Sequence, residues 1–450
     1  MGYTQIHLQF TPDQASQGTQ ENPGTEQRLT HPVKLHTTAH HYSLENRHLR
    51  VTIDRATGHI EQLYSHQLQR NLLKTPGNQL QCFQDQGQYW DAWNIDPDYE
   101  KHPLTPPQLV TCEIVDQGDL RCSVRVSYQF LQSTHQATNE STHQSTIEQI
   151  YLLDYDTPWL RVDTEVNWQA DQVLLKVSFP WAFESEPGAE PTPPLKCVTE
   201  SACGVVERST HPCNAKEAAQ WEIPIHRWID LSTTTPDQHW GVSLINTGKY
   251  GADVKGACLR LSLLRSPLWP DPHSDRGVHR FTYALYPHAG GWESAQTVTL
   301  AQWLNSPLNV LPLSSEPGTQ KTLPPATTLL RFSSPNLHLM SFHPHPQQSG
   351  YVLRCYESAG QTTPLEVQIS DRIEWDGTIV PLNGLETLNV LEKRGDRYPE
   401  ETETVYPWQI RSGLLQLKFI KGKTNVGISH HFCPGFVDTV KKTYGAVPKG

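Results

Sequence analysis

Residues 221–288 read WEIPIHRWIDLSTTTPDQHWGVSLINTGKYGADVKGACLRLSLLRSPLWPDPHSDRGVHRFTYALYPH, and they hold the clearest strand signals in the chain. Apolar residues occupy every second position over 259–263 and again over 281–285. This two-residue period is typical of strands that bury one face. The segment therefore predicts two strands of a β-sheet joined by a loop.

The loop between these strands contains three prolines: Pro267, Pro270 and Pro272. Because proline cannot donate a ladder hydrogen bond, the loop is expected at the edge or rim of a sheet. Ionisable residues lie on or beside it: Asp271, His273, Asp275, Arg276 and His279. A charged loop on a rigid scaffold is a common location for function.

The same two-residue period recurs through most of the chain and predicts an all-β protein. It predicts strands over 124–130, 160–166 and 173–179, and a hairpin in which 49–53 pairs with 60–64 across a turn at 54–58. A helical period is nearly absent, although short helices are expected near 216–221 and 294–304.

Composition along the chain predicts two β-domains with flanking segments. Residues 1–42 are polar and are expected to form a lead-in, and 43–312 a large β supersandwich of the galactose mutarotase-like type. Residues 323–421 predict a smaller β-sandwich, because short strands recur there between turn signals. Residues 422–450 show no usable pattern and are expected to form a tail.

The net charge bears on the classes of binding partner, and the cysteine content bears on the cellular compartment. The 36 basic and 47 acidic residues give a net charge of −11, and no basic stripe is present, which argues against nucleic acid and anionic membrane as partners. No apolar run approaches the length of a membrane span. Nine cysteines, an odd number without a C-x-x-C pair, favour free thiols in the cytoplasm.

Several residues could carry chemistry, and each has a structural alternative. Four aspartates of the central segment could include a catalytic pair or could bond local backbone amides: Asp230, Asp253, Asp271 and Asp275. The spacing of His273, Asp275 and His279 resembles a zinc site, but short His/Asp spacings arise by chance in a chain with 22 histidines, so no metal site is assigned. Arg227 could bind sugar hydroxyls or carboxylates, or it could pair with the nearby aspartates.

Several motifs resemble the C-terminal β-region of family 38 α-mannosidases, most closely the cytosolic and bacterial branch. They are IPIHRWIDLS at 223–232, LRLSLLRSP at 259–267, FTYALYPH at 281–288, LENRHLRVTIDRATGHIEQLY at 44–64, GNQLQCFQDQGQYWDAWNIDPDY at 77–99 and YVLRCYESAG at 351–360. The chain departs from the pattern at Ser209, where the family has proline. The resemblance extends over about residues 43–420.

The resemblance implies a role in removing α-linked mannose from glycans. The family's zinc ion and nucleophilic aspartate belong to an N-terminal α/β domain, which we do not expect in this chain, so no catalytic or metal-binding residue is assigned. The implied partners are a mannose-containing glycan and a separate catalytic domain or subunit. The implied substrate-binding residues at the pocket rim are Arg227, Asp271, Asp275 and His279.

Two other functions remain open from the sequence. A stand-alone carbohydrate-binding module predicts an exposed platform of Trp or Tyr side chains. A mutarotase-like sugar epimerase predicts a carboxylate and a histidine together on a concave sheet face. A missing catalytic partner predicts a large exposed apolar face on the first domain.

Overall fold

A computed structural model describes residues 2–4, 29–87, 90–136, 139–183, 195–233, 239–309, 326–328, 330–347, 351–369, 385–387, 404–405 and 408–415. Its strands in chain order are β1 (Gly2–Thr4), β2 (Lys34–Thr37), β3 (His41–Glu45), β4 (Leu49–Asp54), β5 (Ile60–Ser65), β6 (Arg70–Asn71), β7 (Gln79–Gln84), β8 (Gln108–Gln117), β9 (Arg121–Gln136), β10 (Asn139–Asp154), β11 (Leu160–Trp168), β12 (Val173–Pro180), β13 (Leu195–Ser201), β14 (Gly204–Arg208), β15 (Ile223–Pro224), β16 (Trp228–Thr233), β17 (Trp240–Asn246), β18 (Gly251–Lys255), β19 (Cys258–Arg265), β20 (Gly277–Ala289), β21 (Ala326–Thr328), β22 (Leu330–Phe332), β23 (Leu337–Pro344), β24 (Tyr351–Glu357), β25 (Thr363–Pro364), β26 (Val367–Ile369), β27 (Leu385–Thr387), β28 (Thr404–Val405) and β29 (Ile410–Leu415). The helices are α1 (Ala215–Ala218) and α2 (Thr297–Asn305), and a 3₁₀ turn covers Tyr99–Lys101.

Three antiparallel sheets form the larger unit. One has nine strands in the order β14-β13-β16-β17-β20-β11-β10-β9-β8, and two have five, in the orders β15-β18-β19-β12-β7 and β2-β3-β4-β5-β6. A single apolar cluster contains buried side chains from all three sheets. The sheets therefore pack face to face around one core.

The two-residue period explains which side chains enter this core. Leu49, Val51 and Ile53 of β4 are buried, and the residues between them are partly exposed. Strand β4 pairs with β5, which confirms the predicted hairpin. The other predicted strands lie within β9, β11, β12, β19 and β20, and the predicted helices coincide with α1 and α2 to within a few residues.

A polar network lies inside the core between the sheets. Asn78 donates to Gln149 at 2.8 Å and to Tyr151 at 2.7 Å. Tyr283 donates to Asn78 at 2.5 Å, and Gln149 donates to Tyr283 at 2.8 Å. Burial raises the pKa of both tyrosines, so their hydroxyls stay protonated. Because buried polar atoms are costly unless they are paired, this network favours one alignment of the sheets.

Strand β12 is buried on both faces. Leu175 and Val177 face the main core, whereas Lys176 is fully buried on the opposite face and donates to Glu222 and Asp253. Arg260 donates to Asp253 at 2.9 Å on the same face. The charges on this face are thus arranged in pairs.

A segment that we call the strap, residues 94–101, covers the charged face. Tyr99 accepts a hydrogen bond from Arg260 at 2.9 Å, and Glu100 accepts one from Arg260 at 2.5 Å. Burial opposes ionisation of Glu100, but its bonds from Lys255 and Arg260 lower the pKa of the carboxyl overall. The strap is therefore held against the charged face, because Glu100 supplies part of the negative charge that pairs with the buried cations.

The smaller unit is a second β-sandwich. Its main sheet has the order β23-β24-β29-β27, and the pairs β22-β26 and β25-β28 complete it. Its own apolar cluster includes Leu337, Leu353 and Val367. The predicted all-β class, a large sandwich followed by a smaller one, is confirmed.

The two units meet beside α2. Arg227 donates to Glu200 at 2.9 Å and to the hydroxyl of Tyr356 at 3.1 Å, which joins the nine-stranded sheet to β24. Tyr356 also packs in one cluster with Trp228 and Trp292 of the larger unit. The ring of His338 lies 5.5 Å from that of Tyr356.

The structure describes only some of the residues in the predicted lead-in, domain boundary and tail. Strands β1 and β2 lie within 1–42, so this range is not a lead-in throughout, and β2 pairs with β3 of the main core. The predicted tail at 422–450 and the predicted boundary at 312–322 lie outside the described residues. The exact domain limits remain predictions.

Asp253→Ala is expected to lower the free energy of unfolding by about 3–5 kcal/mol, because it removes a carboxylate that pairs with two buried cations. Chemical unfolding followed by tryptophan fluorescence measures this change. The control is Asp98→Ala, which breaks the exposed pair with Lys101 and should cost about 0–1 kcal/mol. Equal losses in the two variants would contradict the role assigned to the charged face.

Stability is expected to fall as the pH drops from 7 to 4, in part through His338. Burial and the charge of Arg227 lower the pKa of His338 from 6.5 to about 4. The unfolded chain therefore takes up a proton in this window that the folded chain does not, which costs about 3 kcal/mol. Unfolding curves of the native chain and of His338→Phe should differ in pH dependence by about that amount, and parallel curves would refute the assignment.

Candidate functional site

Two loops leave the same end of the sheet that contains β12. In the register of this sheet Val173 of β12 lies opposite Gln84, the last residue of β7, and Leu174 lies opposite Arg265, the last residue of β19. Because β7 and β19 flank β12 and run in the same direction, the loops that follow them begin side by side. The first loop leads into the strap, and the second is the proline-containing loop that leads into β20.

Arg265 ties the two loops together. Its Nε donates to Asp85, and its Nη2 donates to the carbonyl of Asn94 at 2.5 Å. Asp85 is buried and also accepts the amide of Asp96 at 2.9 Å. One guanidinium at the end of a core strand thus holds the first loop at two points.

Asp91 ties the loops together a second time. Its Oδ2 accepts the backbone amides of Leu268 at 2.7 Å and Trp269 at 3.1 Å. Gly87 has a φ of +50°, and a Cβ there would lie 3.1 Å from the Cα of Asp91, so this close approach favours glycine. Asp91, which lies between the two tryptophans of the WDAW motif, therefore positions the proline-containing loop.

The tied loops present three tryptophan side chains to solvent. Trp90, Trp93 and Trp269 are 70%, 67% and 53% exposed, and we call these three residues the tryptophan rim. The rings of Trp93 and Trp269 have centroids 5.5 Å apart and are tilted by 51°. The amide of Trp93 donates to the carbonyl of Trp90 at 2.7 Å, which places both side chains on one tight turn.

Two of the predicted substrate-binding residues, Asp271 and Asp275, lie in the same loop as Trp269, and His279 lies near the start of β20. All three are engaged in local bonds. Asp271 is exposed, and its carboxylate accepts the amide of His273 at 2.9 Å. Asp275 accepts the amide of Arg265 at 3.3 Å. His279 donates from Nε2 to the carbonyl of Asp275 at 2.7 Å. Their role in binding substrate remains a prediction, and Asp271 has the most accessible position.

Arg227, the fourth predicted residue, is engaged in the contact between the two sandwiches. Its guanidinium is occupied by Glu200 and Tyr356 and not by the nearby aspartates that the sequence offered as the structural alternative. A role in substrate binding for Arg227 remains a prediction. Its observed role is to join two domains.

The described residues do not offer a metal site. In the ranges that the structure covers, no group of three or more His, Cys, Asp or Glu side chains is arranged to hold an ion. The zinc-like spacing of His273, Asp275 and His279 is therefore not matched by a cluster of three donors in the described residues. No helix among the described residues is long and apolar enough to cross a membrane.

The other two aspartates of the central segment, Asp230 and Asp253, are buried and paired with other side chains. Asp253 lies in the charged face under the strap, and Asp230 is buried with His288 at 2.7 Å on the other sheet, beneath α2. Ser243 joins this second group by donating to Asp230 at 2.7 Å. Neither aspartate is exposed, so neither forms an accessible acid pair with Asp271.

The rim is the feature that sequence reasoning did not find. The WDAW motif was visible as part of the family resemblance, but nothing in its spacing shows that its aspartate reaches residues 268–269. A usable signal was the third tryptophan, Trp269, which lies between two prolines in a loop that cannot enter a sheet. What the arrangement can do chemically is stack flat aromatic faces on an apolar ring surface.

Family models match both units of the chain. Residues 44–273 match the model described as glycosyl hydrolases family 38 C-terminal domain. Residues 336–412 match the model described as glycosyl hydrolases family 38 C-terminal β-sandwich domain. The first match alone spans the strap, the charged face and most of the proline-containing loop.

Curated relatives and solved structures agree with these matches. The chain is 35% identical over 291 residues to Alpha-mannosidase 2C1 of Homo sapiens, which is 63% of this chain and 25% of that protein. It is 33% identical over 355 residues to Alpha-mannosidase 2C1 of Mus musculus, which is 76% of this chain and 30% of that protein. The fold is similar to an α-mannosidase from Enterococcus faecalis, with a TM-score of 0.62, 15% identity, and coverage of 83% of this chain and 42% of that one.

The order of the sandwiches, the matched models and the similar relatives all indicate the same assignment. The chain corresponds to about a quarter to a third of the length of the curated relatives that it matches. The chain belongs to glycosyl hydrolase family 38, and the parts of the family that it matches are the C-terminal domain and the C-terminal β-sandwich domain.

Proposed function

We propose that this chain is the supporting β-region of an α-mannosidase and that it forms one edge of the mannose pocket of a catalytic domain. The observation that carries this proposal is that both matched models are C-terminal ones and together cover both sandwiches. In this proposal the reaction is hydrolysis of terminal α-linked mannose, and the zinc ion and the nucleophile come from the catalytic domain. The β-region contributes position and shape.

The tryptophan rim supports the proposal. It lies on loops that are tied to the core by Arg265 and Asp91, so it is a rigid surface rather than a loose one. It is exposed, apolar and at one end of the sandwich, where a neighbouring domain or a glycan has access. The exposed carboxylate of Asp271 lies two residues from Trp269 and adds a hydrogen-bond acceptor.

A carbohydrate-binding module is the second candidate, and the same rim favours it. Aromatic platforms bind sugars without turnover, and three tryptophans on one turn and one loop match that description. The epimerase alternative has no such support. In the described residues the polar face of the β12 sheet is covered by the strap, and the buried His288 and Asp230 lie on a different sheet.

We further propose a cytoplasmic location. The eight cysteines that the structure describes are free thiols, four of them buried. Free thiols are typical of proteins kept in a reducing compartment.

The purified chain with zinc is expected to release no nitrophenol from an aryl α-mannoside. The same chain mixed with the N-terminal catalytic half of a homologous α-mannosidase is expected to produce turnover, because the pocket is then complete. Release of nitrophenol is followed by absorbance, and the catalytic half alone is the control. Turnover by the chain alone would overturn the proposal, as would a mixture no more active than the catalytic half.

A further inference from the structure

We propose that the tryptophan rim is a pyranose-stacking surface and that this chain binds an α-mannose oligosaccharide through it without a catalytic centre. The identity of the sugar rests on the proposed function. The stacking surface itself rests on the geometry of the rim.

The exposure of the rim separates it from the tryptophans that pack in the cores. Trp168, Trp181 and Trp228 are fully buried in the cores, as is usual for a large apolar ring in a folded domain. Trp93 and Trp269 instead leave most of their surface in water although their backbones are held by hydrogen bonds. Rings that are held in place and kept exposed are available to a ligand.

The geometry of the pair suits a sugar ring. The centroids of Trp93 and Trp269 are 5.5 Å apart and the planes are tilted by 51°, so the two faces form an open angle rather than a closed stack. A pyranose presents an apolar face of C–H groups that packs on an aromatic plane. Since Asp91 and Arg265 already order both loops, little conformational entropy remains to be lost on binding.

The residues next to the rings favour a glycan over an apolar protein partner. Asp91 and Ala92 lie between Trp90 and Trp93, and Pro270 and Asp271 follow Trp269. Leu268, the aliphatic residue before Trp269, is only partly exposed. Protein interfaces usually surround aromatic anchors with a packed apolar core. A carboxylate has about four acceptor sites, and Asp271 uses one oxygen for the amide of His273, so it can also accept sugar hydroxyls.

Titration calorimetry of the full chain with α-mannotriose tests the proposal. Trp93→Ala and Trp269→Ala are each expected to weaken binding about tenfold, because each removes one stacking face. The matched control is Trp303→Ala, which removes a ring that is 61% exposed on α2, away from the rim, and should bind like the native chain. Thermal unfolding of each variant confirms that the fold is retained.

Asp91 provides a second test, as a positioning residue. Asp91→Ala removes the acceptor for the amides of Leu268 and Trp269 and should weaken binding although all three rings remain. Asp91→Asn keeps an acceptor oxygen and should restore most of the affinity. A merely structural role would instead lower the melting temperature without this difference between the two variants in affinity.

The outcomes separate this inference from the proposed function. No binding of α-mannotriose by the native chain, or equal weakening by Trp303→Ala, overturns the rim as a sugar site. If no sugar binds but Trp93→Ala reduces turnover of the mixture with the catalytic half, the rim is a protein contact and only the proposed function stands. Sugar binding that depends on the rim, in a chain that never restores turnover, supports the rim and refutes the pocket-edge role.

Discussion

The pairing of charges on the buried polar face of the β12 sheet is the interaction on which the rest of the structure depends. Lys176 is fully buried and Arg260 nearly so, and buried cations need carboxylate partners. Asp253 lies in the same sheet, on β18 beside β19, but Glu100 comes from the strap. Neutralising these cations therefore also fixes the course of the chain between β7 and β8.

The course of that segment determines what is displayed at the end of the sandwich. The strap follows directly after the turn that carries Trp90 and Trp93. The bonds that fix the strap on the charged face therefore also position this turn. Arg265 and Asp91 then join this turn to the proline-containing loop and bring Trp269 beside Trp93. A surface with three exposed aromatic rings is thus a consequence of charge pairing at the sheet and of two ties at its end.

The contact between the sandwiches follows a similar principle. Glu200 and Tyr356 occupy the guanidinium of Arg227, so a cation on the larger unit orients the smaller one through a tyrosine of β24. The YVLRCYESAG stretch that contains this tyrosine also contains Glu357, which is fully buried and accepts the amides of Ala359 and Gly360. Family membership assigns these elements to the C-terminal domains of glycosyl hydrolase family 38. Our proposal for their function is that they support chemistry done elsewhere in an α-mannosidase.

The amino-acid sequence alone determined the fold class, the main strands and the family, because a two-residue apolar period and contiguous motifs are local properties of the chain. It predicted the hairpin of β4 and β5 and the strands that flank the proline-containing loop, and it directed attention to the ionisable residues of that loop, Asp271 among them. Only the tertiary structure decided that Arg227 joins two domains and that Asp91 reaches residues 268–269, which lie 177 and 178 positions along the chain. Contacts over such separations depend on sheet register and on the direction of side chains, and neither is encoded in spacing along the sequence.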